Sequence, residues 1–210
     1  MKHDIQNMRQ SYEQAALDFD HTDESPFKQF HKWFDQAVKA EVPEPNALIL
    51  ATVSNNGQPS SRTMLLKGLD DTGFVFFTNY ASRKGMEIAQ NPKAAILFLW
   101  MELERQVRIE GSLQKLSSTE NDEYFYTRPL GSRIGAIASP QSQIIESRTW
   151  LETQVSDLQN ETNPKRPENW GGFRLIPNKF EYWQGRPNRL HDRIEYIPEG
   201  EAWKRHRLAP

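Results

Sequence analysis

The sequence predicts a small antiparallel β-barrel decorated by helices. Three observations lead there. Many short apolar segments are joined by hairpin signals, helical stretches interrupt them, and no regular strand–helix alternation of the kind that builds a parallel sheet is present. At 210 residues the chain suits one domain with short appendages. A chain of this size buries roughly 70% of its unfolded surface, so it needs no disulfide or metal staple.

Residues 1–24 are polar, with acidic residues at Asp18, Asp20, Asp23 and Glu24, and read as a flexible lead. Ser25-Pro26 opens a helix, Ser as N-cap and Pro in the first turn. Phe27, Phe30, Phe34, Ala37 and Val38 share one of its faces. Pro43 and Pro45 end that region. Leu48–Val53 reads as a strand, Asn55-Asn56-Gly57 as a hairpin turn and Ser61–Lys67 as the returning strand. Asp70-Asp71-Thr72-Gly73 turns the chain into a strand at Phe74–Thr78. A short helix over Arg83–Gln90 stops at Asn91-Pro92, and strands follow at Ala94–Trp100 and Gln106–Leu116. A helical insertion spans about residues 119–160. Pro129 and Gly131 break its first helix, Ser132 caps a second, and Ile144–Gln159 forms a third. After a polar loop at 160–169, strands return at Gly172–Ile176, Phe180–Trp183, Arg189–Ile197 and Trp203–Leu208. The expected organisation is a flexible N-terminal segment over 1–24 and a single domain over 25–210.

Composition removes several function classes. The absence of cysteine excludes thiol nucleophiles, thiolate metal sites and disulfides, and suits the cytoplasm. The N-terminus has no apolar core of a signal peptide, and the longest apolar run, Ala94–Met101, is too short to span a bilayer. With 26 Lys and Arg against 28 Asp and Glu, the net charge of -2 gives no basic footprint for nucleic acid. No dinucleotide glycine fingerprint, P-loop, nucleophile elbow or zincin motif occurs, and the five histidines are scattered without metal-ligand spacing.

What remains is the local placement of cations. Arg83 and Lys84 follow the N-cap candidate Ser82, where the helix dipole disfavours positive charge. Either an anion such as phosphate sits at that N-terminus, or the two are a solvated surface pair. On a strand over Ser61–Lys67, Arg62, Met64 and Leu66 face one way, and Thr63, Leu65 and Lys67 the other. Each face carries one cation beside apolar residues, as in a cleft gripping an anion or at a strand end reaching water. Tyr124, Arg128 and Ser132 recur every four residues, so phenol, guanidinium and hydroxyl form a second phosphate clamp or a surface helix with a capping Ser. Arg189, His191 and Arg193 project from one face of the predicted strand, a row that calls for an anion or an electron-rich ring. Trp183 either stacks on such a ring or belongs to the core. The residues thus point to a β-rich domain with two or more phosphate-sized anion sites beside aromatic groups.

At Arg62-Thr63-Met64-Leu65-Leu66-Lys67, at Ser82-Arg83-Lys84 and at Phe180-Glu181-Tyr182-Trp183-Gln184 with Arg189-Leu190-His191-Asp192-Arg193, the chain resembles the pyridoxamine 5′-phosphate oxidase family. The likeness runs from about Arg9 to Pro210. It implies an FMN-binding split barrel with a Greek-key sheet, and a homodimer with FMN at the subunit interface. It implies FMN phosphate contacts at Arg62, Arg83, Lys84, Gln141 and Ser142. The stretch Arg62, Thr63, Met64, Leu65, Leu66, Lys67 and the pair Phe77-Thr78 would line the flavin, with Gln106, Trp183 and Arg193 at its ring system. Family members often carry Tyr-Thr where this chain has Phe77-Thr78. Lys67, Tyr124, Arg128 and Ser132 would hold the substrate phosphate, Arg189 and His191 would face the substrate ring as the catalytic pair, and Arg9 and Tyr12 would belong to a closing N-terminal segment.

The implied reaction oxidises pyridoxamine 5′-phosphate or pyridoxine 5′-phosphate to pyridoxal 5′-phosphate with O2, releasing H2O2 and, from the amine, ammonia. Three rivals stand beside it: a split-barrel flavin reductase, a non-catalytic carrier of FMN or pyridoxal 5′-phosphate, and a nucleic-acid-binding β-barrel. The long C-terminal motif and the second phosphate clamp argue against the first, and the net charge against the last. No membrane partner is expected.

Overall fold

The computed structural model describes residues 11–210. The helices are α1 (Pro26–Lys39), α2 (Arg83–Gln90), α3 (Ser118–Thr127), α4 (Leu130–Ala138) and α5 (Arg148–Asp157). The strands are β1 (Ala47–Val53), β2 (Pro59–Leu65), β3 (Gly68–Asp70), β4 (Gly73–Asn79), β5 (Lys93–Trp100), β6 (Arg105–Lys115), β7 (Trp170–Gln184), β8 (Asp192–Glu199) and β9 (Ala202–Leu208). They form one sheet in the order β2-β1-β5-β6-β7-β4-β3, with β8 paired to β7 and β9 to β8. The β3–β4, β4–β7, β7–β8 and β8–β9 pairs are antiparallel. Among the described residues, no helix is long and apolar enough to cross a membrane.

The chain clusters into two compact units. The first comprises residues up to Leu48, Ile96–Glu110 and Pro177–Pro210, and the second Ile49–Ala95 and Gly111–Ile176. In the first, Ser25 caps α1 by accepting a hydrogen bond from the Lys28 N–H, with Pro26 in the first turn. The buried face of α1 is Phe27, Phe30, Trp33 and Ala37. Phe30 packs against Phe98 at 4.9 Å and Trp33 edge-on against Tyr182 at 5.1 Å between ring centroids. The Tyr182 hydroxyl donates to the Pro26 carbonyl at 2.6 Å, and the indole N–H of the buried Trp100 donates to the Pro45 carbonyl at 3.0 Å. The second unit buries Leu50, Phe74, Phe76, Ile88, Phe173 and Leu175.

The structure corrects five expectations. Val38 is half-exposed and Trp33 takes its place, because Phe30, Trp33 and Ala37 fall at i, i+3 and i+7 while Val38 lies a further 100° round the helix. β2 ends at Leu65, so Leu66 and Lys67 lie beyond it and the predicted faces hold only over Arg62–Leu65. Ser132 sits inside the first turn of α4, whose N-cap is Pro129. The third helix of the insertion begins only after Ser147, whose hydroxyl accepts from the Trp150 N–H, leaving Ile144 exposed. The two strands expected around Pro177 are one 15-residue strand. Pro177, which has no N–H to give, falls between the part of β7 in register with β4 and the part in register with β8.

The expectation for Arg189–Ile197 also changes, and this bears on the site. β8 begins at Asp192. Pro187–Arg189 forms a 3-10 turn with Asn188 and Arg189 in the left-handed region, at φ 56° and 63°. The alternation of Arg189, His191 and Arg193 along one strand face is therefore broken.

Candidate functional site

In the second unit a cavity of about 440 Å³ is lined by residues from the end of β2, from β4, from α3 and α4, and from the start of β7. That volume is in the range of small-molecule sites. Its lining includes Lys67, Tyr124, Arg128 and Ser132, expected at the substrate phosphate, together with Leu65, Phe77 and Thr78, expected to line the flavin, and Gln141, expected at the FMN phosphate. The aromatic floor is a stack: Phe77 lies on Tyr124 at 3.9 Å and on Trp170 at 5.4 Å between centroids. Arg128, the C-cap of α3, spreads its guanidinium over Trp170 at 4.7 Å. One nitrogen of that guanidinium, Nη1, is buried and has no hydrogen-bond partner among the described residues. A buried guanidinium N–H without an acceptor is costly, and an anion in the cavity would satisfy it. Burial holds the Arg128 pKa below its ordinary value, the neighbouring Tyr124 opposing this.

At the β4 side of the cavity, donors converge on one oxygen. Gln141 Oε1 accepts from Thr78 Oγ1 at 3.1 Å, from the Asn79 N–H at 3.3 Å and from Lys84 Nζ at 3.3 Å. Lys84 is buried, and its other partners are hydroxyls, Thr78 at 3.2 Å and Ser82 at 3.4 Å. Ser82 caps α2 as predicted, accepting from the Gly85 N–H. Gly85 is required there, because an added Cβ would lie 2.2 Å from the Tyr80 carbonyl oxygen. Burial, then the charge of Arg62, pushes the Lys84 ammonium pKa down. This donor set suits a phosphate oxygen, and so fits the phosphate of a nucleotide-like cofactor.

Arg62 and Arg83 are arranged differently. Both reach the buried carboxylate of Glu87, Arg62 Nη2 at 3.3 Å and Arg83 Nε at 2.9 Å. Thr52 and Ser60 hydroxyls also donate to Glu87, at 2.5 and 2.7 Å. Burial alone would raise the Glu87 pKa, but these bonds, with Arg83, bring it down to about 2. Arg62 is further fixed by the Leu50 carbonyl at 3.2 Å and Thr52 Oγ1 at 2.6 Å. Of the other predicted residues in this unit, Thr63 is exposed, Met64 half-buried and Leu66 buried, while Ser142 is exposed at φ 72°.

The first unit carries a separate aromatic group. Tyr12, Trp183 and His191 meet, Trp183 and His191 at 4.6 Å and Tyr12 with each at 5.9 Å. Tyr12 also packs on Gly185, where an added Cβ would fall 2.7 Å from its ring. The segment after Tyr12 is tied down by Glu104, which accepts from the Gln14 N–H at 3.1 Å, and by Asp192, which accepts from the Leu17 N–H at 3.0 Å. His191 Nδ1 accepts the Arg186 backbone N–H at 3.1 Å, so the neutral ring carries its proton on Nε2. Burial and the adjacent Arg189 hold the His191 pKa below its ordinary value. Arg189 itself is exposed in the left-handed turn. Arg193, opposite Trp183 in the β7–β8 register, pairs with the buried Glu181 at 2.9 Å. Gln106 is half-buried on β6, and Arg9 lies outside the described residues.

The sequence reading missed Glu87, Glu181 and Trp170. Glu87 had a signal in the i, i+4 spacing from Arg83. Glu181 stands inside the quoted motif as a charged residue among aromatics. Trp170 had none, because its role depends on β7 running beside β4.

Residues 34–161 match the family model described as pyridoxamine 5′-phosphate oxidase. The chain belongs to the pyridoxamine 5′-phosphate oxidase family. Residues 170–210 match that family's companion model, the pyridoxine 5′-phosphate oxidase C-terminal dimerisation region. A relative in Bordetella pertussis named pyridoxine/pyridoxamine 5′-phosphate oxidase is 56% identical over 209 residues, 98% of this chain and 99% of that protein. One of the same name in Paraburkholderia phytofirmans is 55% identical over 210 residues, with the same shares covered. Among solved structures, PhzG from Burkholderia lata, in complex with tetrahydrophenazine-1-carboxylic acid, superposes with a TM-score of 0.90 at 32% identity, covering 96% of this chain and all of that one. A pyridoxamine 5′-phosphate oxidase-related FMN-binding protein from Nostoc punctiforme gives 0.73 at 21% identity over 90% of this chain and all of that one, a likeness of fold. The fold is the split barrel of these oxidase-related, FMN-binding proteins.

Proposed function

We propose that this family member oxidises pyridoxamine 5′-phosphate and pyridoxine 5′-phosphate to pyridoxal 5′-phosphate, with FMN as cofactor and O2 as acceptor. The observation that carries the reading is the buried, unpartnered Nη1 of Arg128 in a cavity that also presents Lys67, Tyr124 and Ser132. Two cations, a phenol and a hydroxyl over an aromatic floor suit a small, flat, phosphorylated substrate. The donor set of Lys84, Thr78 and the Asn79 N–H, with Arg62 and Arg83 in the same unit, suits a second phosphate, that of FMN.

FMN, when bound, supplies the acceptor for a hydride from the substrate carbon and returns the electrons to O2 as H2O2. The rest falls to the protein. Lys67, Tyr124, Arg128 and Ser132 would fix the substrate by its phosphate, a contribution of proximity. Arg189 and His191 would orient the substrate ring. His191, neutral and protonated on Nε2, would offer a hydrogen bond to the ring's phenolic oxygen. Arg193 would place positive charge at the flavin ring, where negative charge develops on reduction. Tyr12, already packed on Trp183 and His191, would exclude water from that side. The match to the family's dimerisation region supports a homodimer, and we place FMN at its subunit interface.

The complex of PhzG with a tricyclic carboxylate favours a second reading, oxidation of an unphosphorylated carboxylic acid. Purified, FMN-loaded protein distinguishes them when O2 uptake and pyridoxal 5′-phosphate absorbance are recorded together. Matched O2 loss and aldehyde formation from the phosphorylated amine or alcohol are expected. Turnover of a dihydroaromatic carboxylate alone would replace the proposal, and bound flavin with no turnover of either class would indicate a carrier.

A further inference from the structure

Glu181 is 2% exposed, and both its oxygens are taken by arginines from the neighbouring strands. Oε1 accepts from Arg193 Nε of β8 at 2.9 Å, and Oε2 from Arg108 Nη2 of β6 at 2.5 Å. The β7–β8 register puts Trp183 opposite Arg193 and Glu181 opposite Glu195, so Glu181 is the diagonal neighbour of Arg193 on the face that carries Trp183. A second tie comes from the far side of the guanidinium, where Arg193 Nη1 donates to the Ala209 carbonyl at 2.7 Å. Two acceptors on different edges fix both the position and the plane of a fork that a surface arginine would leave to rotate. Arg108 holds the carboxylate against β6 in turn, so Glu181 cannot follow Arg193 outward. A buried carboxylate that only balanced charge would need one partner; this one is gripped from both sides.

We propose that Glu181 is a positioning residue that aims Arg193, with Arg108 as its backing. The inference rests on the reading of Arg193 as the flavin-ring contact. It predicts that Glu181 acts on the flavin only through Arg193.

The test is a double-mutant cycle on Glu181→Gln and Arg193→Ala, reading the Kd of FMN by flavin fluorescence, the midpoint potential of the bound flavin and the Tm of the FMN-free protein. Gln keeps the shape and one acceptor but loses the charge that holds two arginines. Glu181→Gln is expected to raise the FMN Kd about fivefold in the native background and less than about twofold beside Arg193→Ala, and to move the potential in the same direction as Arg193→Ala. Glu181→Asp, which keeps the charge but is one methylene short, should fall between, and carries the test if the Gln variant does not fold. A lowered Tm with native Kd and potential, or effects that add fully to those of Arg193→Ala, would reduce Glu181 to a structural ion pair and overturn the proposal. If Arg193→Ala itself moves neither Kd nor potential, Arg193 is not the flavin contact, and the underlying reading falls first.

Discussion

Four cations of the second unit are held in two ways. Arg62 and Arg83 share the buried carboxylate of Glu87, whereas Lys84 and Arg128 form no ion pair among the described residues. A countered cation is positioned by its partner, and the charge that remains to attract a ligand is reduced. A cation set over rings and hydroxyls pays the desolvation in the fold and recovers it only when an anion arrives. Burial depresses Arg62, Lys84 and Arg128 alike, but only for Arg62 does a carboxylate hydrogen bond oppose it, that of Glu87, itself brought down to about 2 by its donors.

The sharpest way to break this contrast is Arg128→Ala. If the buried Nη1 is the substrate-phosphate donor, kcat/KM for the phosphorylated substrates falls about a hundredfold, on the order of 3 kcal/mol for lost charge-assisted hydrogen bonds, with Tm little changed. A fall of less than about threefold would show that the guanidinium only stacks on Trp170. Next is Lys84→Met, which keeps the stem and removes the ammonium. FMN Kd should rise about tenfold or more, while the FMN-free protein keeps or gains Tm, because a desolvated charge has gone. A loss of both together would make Lys84 a structural residue.

Glu87→Gln tests the other kind of charge through pH. The Glu87 carboxyl has a folded-state pKa of about 2 against an ordinary 4.5. A depressed carboxyl gives stability that is present above its ordinary pKa and lost as pH falls through the folded one. The variant should therefore lose Tm at pH 7 and show a flatter Tm profile between about pH 5 and pH 2. An unchanged profile would remove Glu87 from that role. The smallest effect is expected at His191. Its pKa is depressed, so the ring stays neutral at and above its ordinary value of 6.5 and any acid limb it causes in kcat/KM lies below that pH. His191→Asn should abolish that limb with a few-fold loss in kcat; a limb that persists belongs to another group.

The sequence made these contrasts only partly legible. The helix over Arg83–Gln90 and the turn at Asn55-Asn56-Gly57 were readable because capping and turn chemistry are local: Ser82 takes the Gly85 N–H, and Gly57 adopts φ 83°. The clamp of Tyr124, Arg128 and Ser132 was readable from its spacing, although Ser132 reaches the cavity from inside α4 and not as a cap. The row of Arg189, His191 and Arg193 was misread because period-two alternation cannot register a left-handed turn at two non-glycine residues. Which cations meet a carboxylate was not readable for Arg193 and Arg62, since their partners come from other elements, Glu181 through the β7–β8 register and Glu87 from α2.

One long strand carries a consequence for how the molecule is made. β4 pairs with residues about a hundred positions later in the chain, on the same β7 that supplies Trp170 to the cavity. Such distant pairing closes a large loop before it returns any contact energy, and slows folding accordingly. The cavity wall therefore cannot be completed until Trp170 and the rest of its strand have been made, while strands as apolar as β4 are already waiting. We expect this protein to depend during synthesis on whatever shields an unpaired strand edge.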